Sequence, residues 1–185
     1  MKRAWKENTS GVLRFFYLAV LPGVLFFCLG VRANALTPKV GMQAPDFARS
    51  GLDGHTIRLS DLRGKIVLLD FWATWCAPCQ QEIPLFVEWQ NRYRDLGLQI
   101  VGISMDDDVA PVRHLVHNLK VNYPIAMADS VLAESYGGIL GLPVTYLIDR
   151  KGVIVARFEG ETDPRQIESQ IRKYLGNGND SSAKP

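Results

Sequence analysis

The sequence predicts an α/β domain, a mixed central sheet with helices on both faces, and three observations predict it. Runs that are apolar on both faces recur, "IVLLDFWA" at 66–73 and "LQIVGISM" at 98–105, as strands covered from both sides require. Each is followed by apolar residues at helical spacing. The chain then closes with two strand-like runs and an amphipathic helix, so strand and helix alternate almost to the end.

The elements follow in order. "KVGMQAPDFARSGLDGHTIRLSDLRGK" (39–65) reads as a short hairpin turning at Asp53-Gly54, then a one-turn helix near residues 60–62. After the strand at 66–73, residues 77–95 read as a helix with a buried stripe of Ile83, Leu85, Phe86, Trp89 and Tyr93, and Pro84 is expected to bend it. "LQIVGISM" is the second buried strand, and right-handed crossovers set it beside the first. "DDDVAPVRHLVHNLKV" (106–121) opens with acids suited to a helix N-terminus. "YPIAMA" reads as a short strand and "SVLAESYG" as a short helix. "LPVTYLID" and "GVIVARFEG" are strands joined at Arg150-Lys151-Gly152. In "DPRQIESQIRKYL", Asp163 caps the last helix and Pro164 takes its first position. Residues 177–185 form a polar tail expected to be disordered.

Residues 1–35 stand apart from this domain at 36–176. Lys2, Arg3, Lys6 and Arg14 precede 17 uncharged residues, 15–31, and Ala33 and Ala35 follow in an A-x-A pattern. That is the plan of a secretory signal peptide, cleaved after Ala35. The apolar run is also at the short limit for spanning a bilayer, so an uncleaved N-terminal anchor is the alternative. Either way the domain is expected at the periplasmic or extracytoplasmic face. A lipid anchor through Cys28 fits less well, because Phe26 and Phe27 precede it where small residues are needed. Without residues 1–35 the chain carries 16 basic and 18 acidic residues, so the overall basic balance belongs to the export segment. No nucleic-acid surface is indicated.

The exported domain keeps two cysteines, Cys76 and Cys79, inside "DFWATWCAPCQQEIP" (70–84). A structural staple is a poor use of this pair, since closing so short a loop removes little chain entropy. A zinc site needs two more ligands, and His114 and His117 lie 35 residues or more past Cys79 on another helix. No metal or other cofactor is therefore expected. Asp106 to Asp108 suit a helix start better than a cation loop. A dithiol/disulfide couple fits best. Cys76 falls at the start of a helix, where unpaired N–H groups and the helix dipole favour a thiolate and lower its pKa below about 8.5. Cys76 is expected to be the exposed attacker and Cys79, one turn in, the covered resolver. Pro78 stiffens the turn between them. Asp70 ends an apolar strand, so its pKa is expected to be raised. Glu82, a turn past Cys79, shares the cysteine face. Either acid could take the Cys79 proton; Glu82 could instead be a solvated surface acid and Asp70 purely structural. Pro143 heads a strand after "GGILGL", where a cis or a plain trans turn is possible. Leu142 before it and Trp75 beside Cys76 are expected to face the client.

These motifs resemble the thioredoxin superfamily, and most closely its exported TlpA/ResA-like branch with the CcmG-type proteins. "GMQAPDF", "LSDLRGKIVLLDFWATWC", "IVGISMD" and "YGGILGLPVTYLIDRKGVIVARFEG" carry the likeness, over about residues 40–175. The resemblance implies a thioredoxin fold with an N-terminal β-hairpin, and an inserted strand–helix element that residues 105–128 would supply. It implies a cis Pro143 packed against Cys76 and Cys79. It places Glu82 on an acid that tunes the pair in ResA-like members, and Asp70 on the buried aspartate of cytoplasmic thioredoxins, where many TlpA-like proteins have asparagine. It further implies a monomeric reductant of disulfides in apocytochrome c or copper-assembly proteins, recharged by a membrane electron donor of the thiol-disulfide transporter type. Two rivals remain. One is a peroxiredoxin-like peroxidase, against which the second thiol and Trp75 argue. The other is a non-catalytic metal- or client-binding chaperone module.

Overall fold

The computed structural model describes residues 37–176. The export segment at 1–35 and the polar tail at 177–185 lie outside the described residues. A five-stranded mixed sheet carries the fold. It is formed by β3 (Ile66–Trp72), β4 (Leu98–Ser104), β5 (Ile125–Met127), β6 (Val144–Ile148) and β7 (Ile154–Glu159), in the order β5-β4-β3-β6-β7. β3, β4 and β5 run parallel, and β6 and β7 are antiparallel additions on the other side. The mixed sheet and the pairing of β3 beside β4 are as predicted.

A separate antiparallel hairpin, β1 (Ala48–Ser50) and β2 (Thr56–Arg58), turns through Gly54, whose φ of +85° favours glycine. A 3₁₀ turn over Leu59–Leu62 follows. The hairpin closes the outer edge of β5: the Leu52 N–H donates to the Ile125 carbonyl at 2.8 Å, and Gly51 bridges Ala126. β5 pairs with β4 only over Gly102–Ser104, so further back the edge is sealed differently: buried Gln90 accepts the Ile100 N–H at 2.7 Å through Oε1.

Four helices cover the sheet: α1 (Ala77–Tyr93), α2 (Val109–Asn118), α3 (Ser130–Ser135) and α4 (Pro164–Gly176). Strand alternation decides what each face receives. Ile66, Leu68 and Trp72 pack with Ile83, Phe86 and Trp89 of α1, Val112 of α2, and Ile167 and Ile171 of α4. Val67, Leu69 and Phe71 face the hairpin, α3 and the aromatic rings of Tyr136, tilted against Phe71, and Tyr146, edge-on to it. Each buried aliphatic or aromatic side chain contributes about 1.5–3 kcal/mol. By the same alternation Asp70 points to the α1 face, a consequence that sets up the site.

The α1 stripe departs from expectation at Leu85, which is only half buried, while Glu82 and Gln90 are buried. Sheet contact reaches toward the side of the helix holding those polar residues because Gln90 is needed at the β4 edge. The expected caps are present, Asp108 accepting from the Ala110 N–H and Asp163 from Arg165, and Asp129 caps α3 by accepting from Leu132.

Gly102 shows how tightly the α1 face closes. A Cβ there would lie 2.5 Å from Ile125 Cδ1 and 3.0 Å from Trp72 Nε1. Gly102→Ala is expected to lower the denaturation midpoint by the equivalent of about 1–3 kcal/mol, as overpacking does. An unchanged midpoint would mean that Ile125 simply rotates aside.

Candidate functional site: a disulfide at a helix start

β3 ends at Trp72, and the loop Ala73–Trp75 delivers Cys76 to the N-cap of α1. Cys76 and Cys79 form a disulfide across a Cα–Cα distance of 5.3 Å. The Cys79 N–H donates to Cys76 Sγ at 3.3 Å, so the sulfur occupies the place where a serine or aspartate oxygen usually caps a helix. Pro78, in the first turn, has no N–H to leave unpaired. In the reduced pair that same N–H and the helix dipole would face a Cys76 thiolate. The two sulfurs differ in access in the expected sense, but Cys76 is less open than predicted: it is 5% exposed and Cys79 1%. The loop folds back over its own cysteine, with the Cys76 N–H donating to the Ala73 carbonyl at 3.2 Å.

That loop is held from both sides. Asp106 accepts from the Thr74 N–H at 2.9 Å and from the Thr74 hydroxyl, and Ser104 Oγ donates to the same carboxylate at 2.8 Å. Gln80 Nε2 donates to the Thr74 carbonyl. Asp106 therefore anchors the cysteine loop, while Asp108 alone caps α2. The acid run at 106–108 marked a helix start; nothing in its spacing marked the tether to Thr74.

Asp70 and Glu82 are both buried, at 2% and 6% exposure. Asp70 accepts a 2.9 Å hydrogen bond from the Thr145 hydroxyl, its register partner on β6. Burial raises the Asp70 carboxyl to about 7, and the Thr145 bond offsets part of that rise. Glu82 rises to about 8, chiefly by burial, then by the nearby charges of Asp70 and Glu161. Glu82 Oε2 is buried without a hydrogen-bond partner among the described residues, which rules out the solvated surface acid considered for it. Tyr123, just before β5, belongs to the same cluster as the cysteines. Burial first, then Asp70 and Glu82, push its hydroxyl up. Neither Tyr123 nor Thr145 carries a motif that sequence spacing could have flagged.

The Leu142–Pro143 bond is cis. β6 runs antiparallel to β3 with Phe71 opposite Val144, so Pro143 lies at the sheet edge where β3 releases the cysteine loop. Pro143 is buried and Leu142 half buried against both core clusters. The preceding glycine-rich loop borders a cavity of about 300 Å³ closed by Thr37, Arg157 and Gly160. Trp75 is 70% exposed. A larger cavity of about 680 Å³, between Arg92 and Leu175, opens at the far end of α1. His114 and His117 sit together on α2, where His114 bonds Asn118, apart from the cysteines.

Chemically, this is a reversible dithiol/disulfide centre at a helix start, with Glu82 buried one turn past Cys79, Asp70 buried on the α1 face of β3, and an exposed aromatic beside Cys76. Comparisons with known proteins agree. The model of the AhpC/TSA family matches residues 40–157. The chain is 34% identical over 172 residues to the thiol-disulfide oxidoreductase ResA of Geobacillus thermodenitrificans, covering 90% of this chain and 97% of the relative. To ResA of Bacillus anthracis it is 32% identical over 164 residues, covering 88% and 95%. A crystal structure assigned as the thiol:disulfide interchange protein DsbE of Chlorobium tepidum superposes with a TM-score of 0.70 at 32% identity, over 75% of this chain and 99% of that one. With the disulfide at the head of α1, the cis proline at the same sheet edge and these likenesses, the chain belongs to the AhpC/TSA family of the thioredoxin superfamily, on its ResA-like branch of thiol-disulfide oxidoreductases.

Proposed function

We propose that the protein reduces disulfides of client proteins outside the cytoplasm, and that the observation carrying this is the redox pair at the α1 N-terminus beside two buried acids. Cys76, as thiolate, attacks one sulfur of a client disulfide. A Cys76–client bond forms, and the other client sulfur leaves as a thiolate that takes a proton from solvent. Cys79 then loses its proton to the buried acids and attacks Cys76 Sγ. The Cys76–Cys79 bond forms and the second client thiolate departs. The client gains two electrons and the enzyme ends in the oxidised state seen here.

Exposed Trp75, Pro78 in the first turn of α1, and Leu142 and Pro143 ahead of β6 are the client-contact residues in this reading. Apocytochrome c or a copper-assembly protein is the client class, and a membrane electron donor of the thiol-disulfide transporter type returns the pair to the dithiol. The basic-apolar-AxA segment at 1–35 supports a periplasmic or extracytoplasmic location for the domain, cleaved or anchored. The protein works as a monomer.

The test is reduction of insulin and of a disulfide-closed Cys-x-x-Cys-His peptide by the dithiol form. Rapid reduction of the peptide is expected. Failure on both substrates would overturn the reading. A second reading, peroxidase, draws support from the family model itself. It predicts peroxide consumption by the dithiol protein at rates that insulin reduction does not match; the close second thiol and exposed Trp75 favour the reductase.

A further inference from the structure

The two buried acids have no cation facing them among the described residues, and the charge of Asp70 bears on Glu82. In so desolvated a site the second ionisation is opposed by the first, so the pair passes through a singly charged state before both acids ionise. What differs between them is a hydrogen bond. Asp70 Oδ1 accepts from Thr145 Oγ1 at 2.9 Å, whereas Glu82 Oε2 has no donor. Thr145 is 2% exposed and, by strand alternation on β6, points to the same face as Asp70, toward α1. The remaining groups facing the pair are Tyr123, ahead of β5, which would add negative charge only at high pH, and exposed Glu161 after β7, which bears on Glu82 alone.

We infer that Thr145 is a positioning residue that holds the single charge of the acid pair on Asp70 and keeps the proton on Glu82, making Asp70 the base that deprotonates Cys79. This rests on the exchange mechanism above and adds to it the choice of acceptor. A donor hydroxyl stabilises a carboxylate and does nothing comparable for the protonated acid. When Cys79 attacks Cys76, its proton passes to the Asp70 carboxylate. Glu82, already neutral, opposes no further charge in the cluster, so the thiolate can form next to it. The ordering of the two acids, Asp70 at about 7 and Glu82 at about 8, runs in the same direction.

The experiment isolates resolution from client choice. The reduced protein is mixed with dithiobis-nitrobenzoate, and release of the second thionitrobenzoate, which requires Cys79, is followed from pH 5 to 9. The wild type is expected to show an acid limb set by Asp70. Thr145→Val is expected to move that limb up by about one pH unit, slowing release about tenfold on the limb, with the alkaline plateau unchanged. Thr145→Ser is expected to restore the wild-type limb, which a merely space-filling role would not require. An unmoved limb in a folded Thr145→Val protein overturns the inference. Should that variant not fold, carboxyl-carbon NMR titration of the wild type decides the matter: Asp70 is expected to ionise before Glu82, and the reverse order overturns it. Failure of the client-reductase reading registers separately, as a wild type that resolves the nitrobenzoate adduct but reduces no protein disulfide.

Discussion

Cys79→Ser is expected to turn the enzyme into a trap. Cys76 still attacks a client disulfide, but no sulfur one turn inside α1 remains to release it, so a covalent Cys76–client adduct accumulates. Non-reducing gels of cells expressing the variant should show adducts that vanish with dithiothreitol, and mass spectrometry of the captured chain names the client. Cys76→Ser is expected to drop disulfide reduction to the solvent background and to form no adduct. The asymmetry follows from position. Cys76 sits at the N-cap with the larger exposure, and Cys79 lies a turn deeper at 1%. If Cys76→Ser instead captured clients, or the two variants behaved alike, the attacker and resolver assignments would be wrong. Client binding that survived Cys76→Ser undiminished would favour the chaperone reading.

The second large effect concerns stability. Asp70 holds its proton in the fold up to about pH 7, against an ordinary value of 3.8. Between those values the unfolded chain has ionised at this position and the folded chain has not. The folded state then binds more protons, so stability falls as pH rises through the window. Over about three pH units the loss is of order 4 kcal/mol, fully present only above pH 7. Asp70→Asn removes the ionisable group while leaving an acceptor for Thr145. It is expected to stabilise the oxidised protein by a few kcal/mol at pH 8 and by almost nothing at pH 3.5, measured by guanidinium denaturation at both pH values. Equal stabilisation at the two pH values would show that the gain is packing rather than charge. The same variant is expected to slow Cys79-dependent release, an instance of stability given up at a working site.

Much of this was legible in the chain. The two-sided apolar runs at 66–73 and 98–105 specified central strands, because only a strand covered on both faces can hide every side chain. The alternation of strand and helix set the parallel pairing. Asp163-Pro164 marked the start of α4 through rules that act within one turn. Cys76 and Cys79 declared themselves by a spacing that fits a single helix turn. Leu85 packs on the same core but only half buried, because the helical period fixes a stripe's pitch but not its margins. The need of β4 for an acceptor at Ile100 turned the Gln90 side inward.

What the sequence by itself determined is the chemistry available: two thiols at a helix start, two acids at the right periodicity, and a proline heading a strand. Tertiary structure alone decided which distant partners hold those groups. Thr145 lies 75 residues from Asp70, and Asp106 lies 32 residues from the Thr74 loop it holds. Local periodicity acts over a few residues. Partners this distant meet only through β-sheet register, and it is their shared removal from water that makes one proton, and its location, matter.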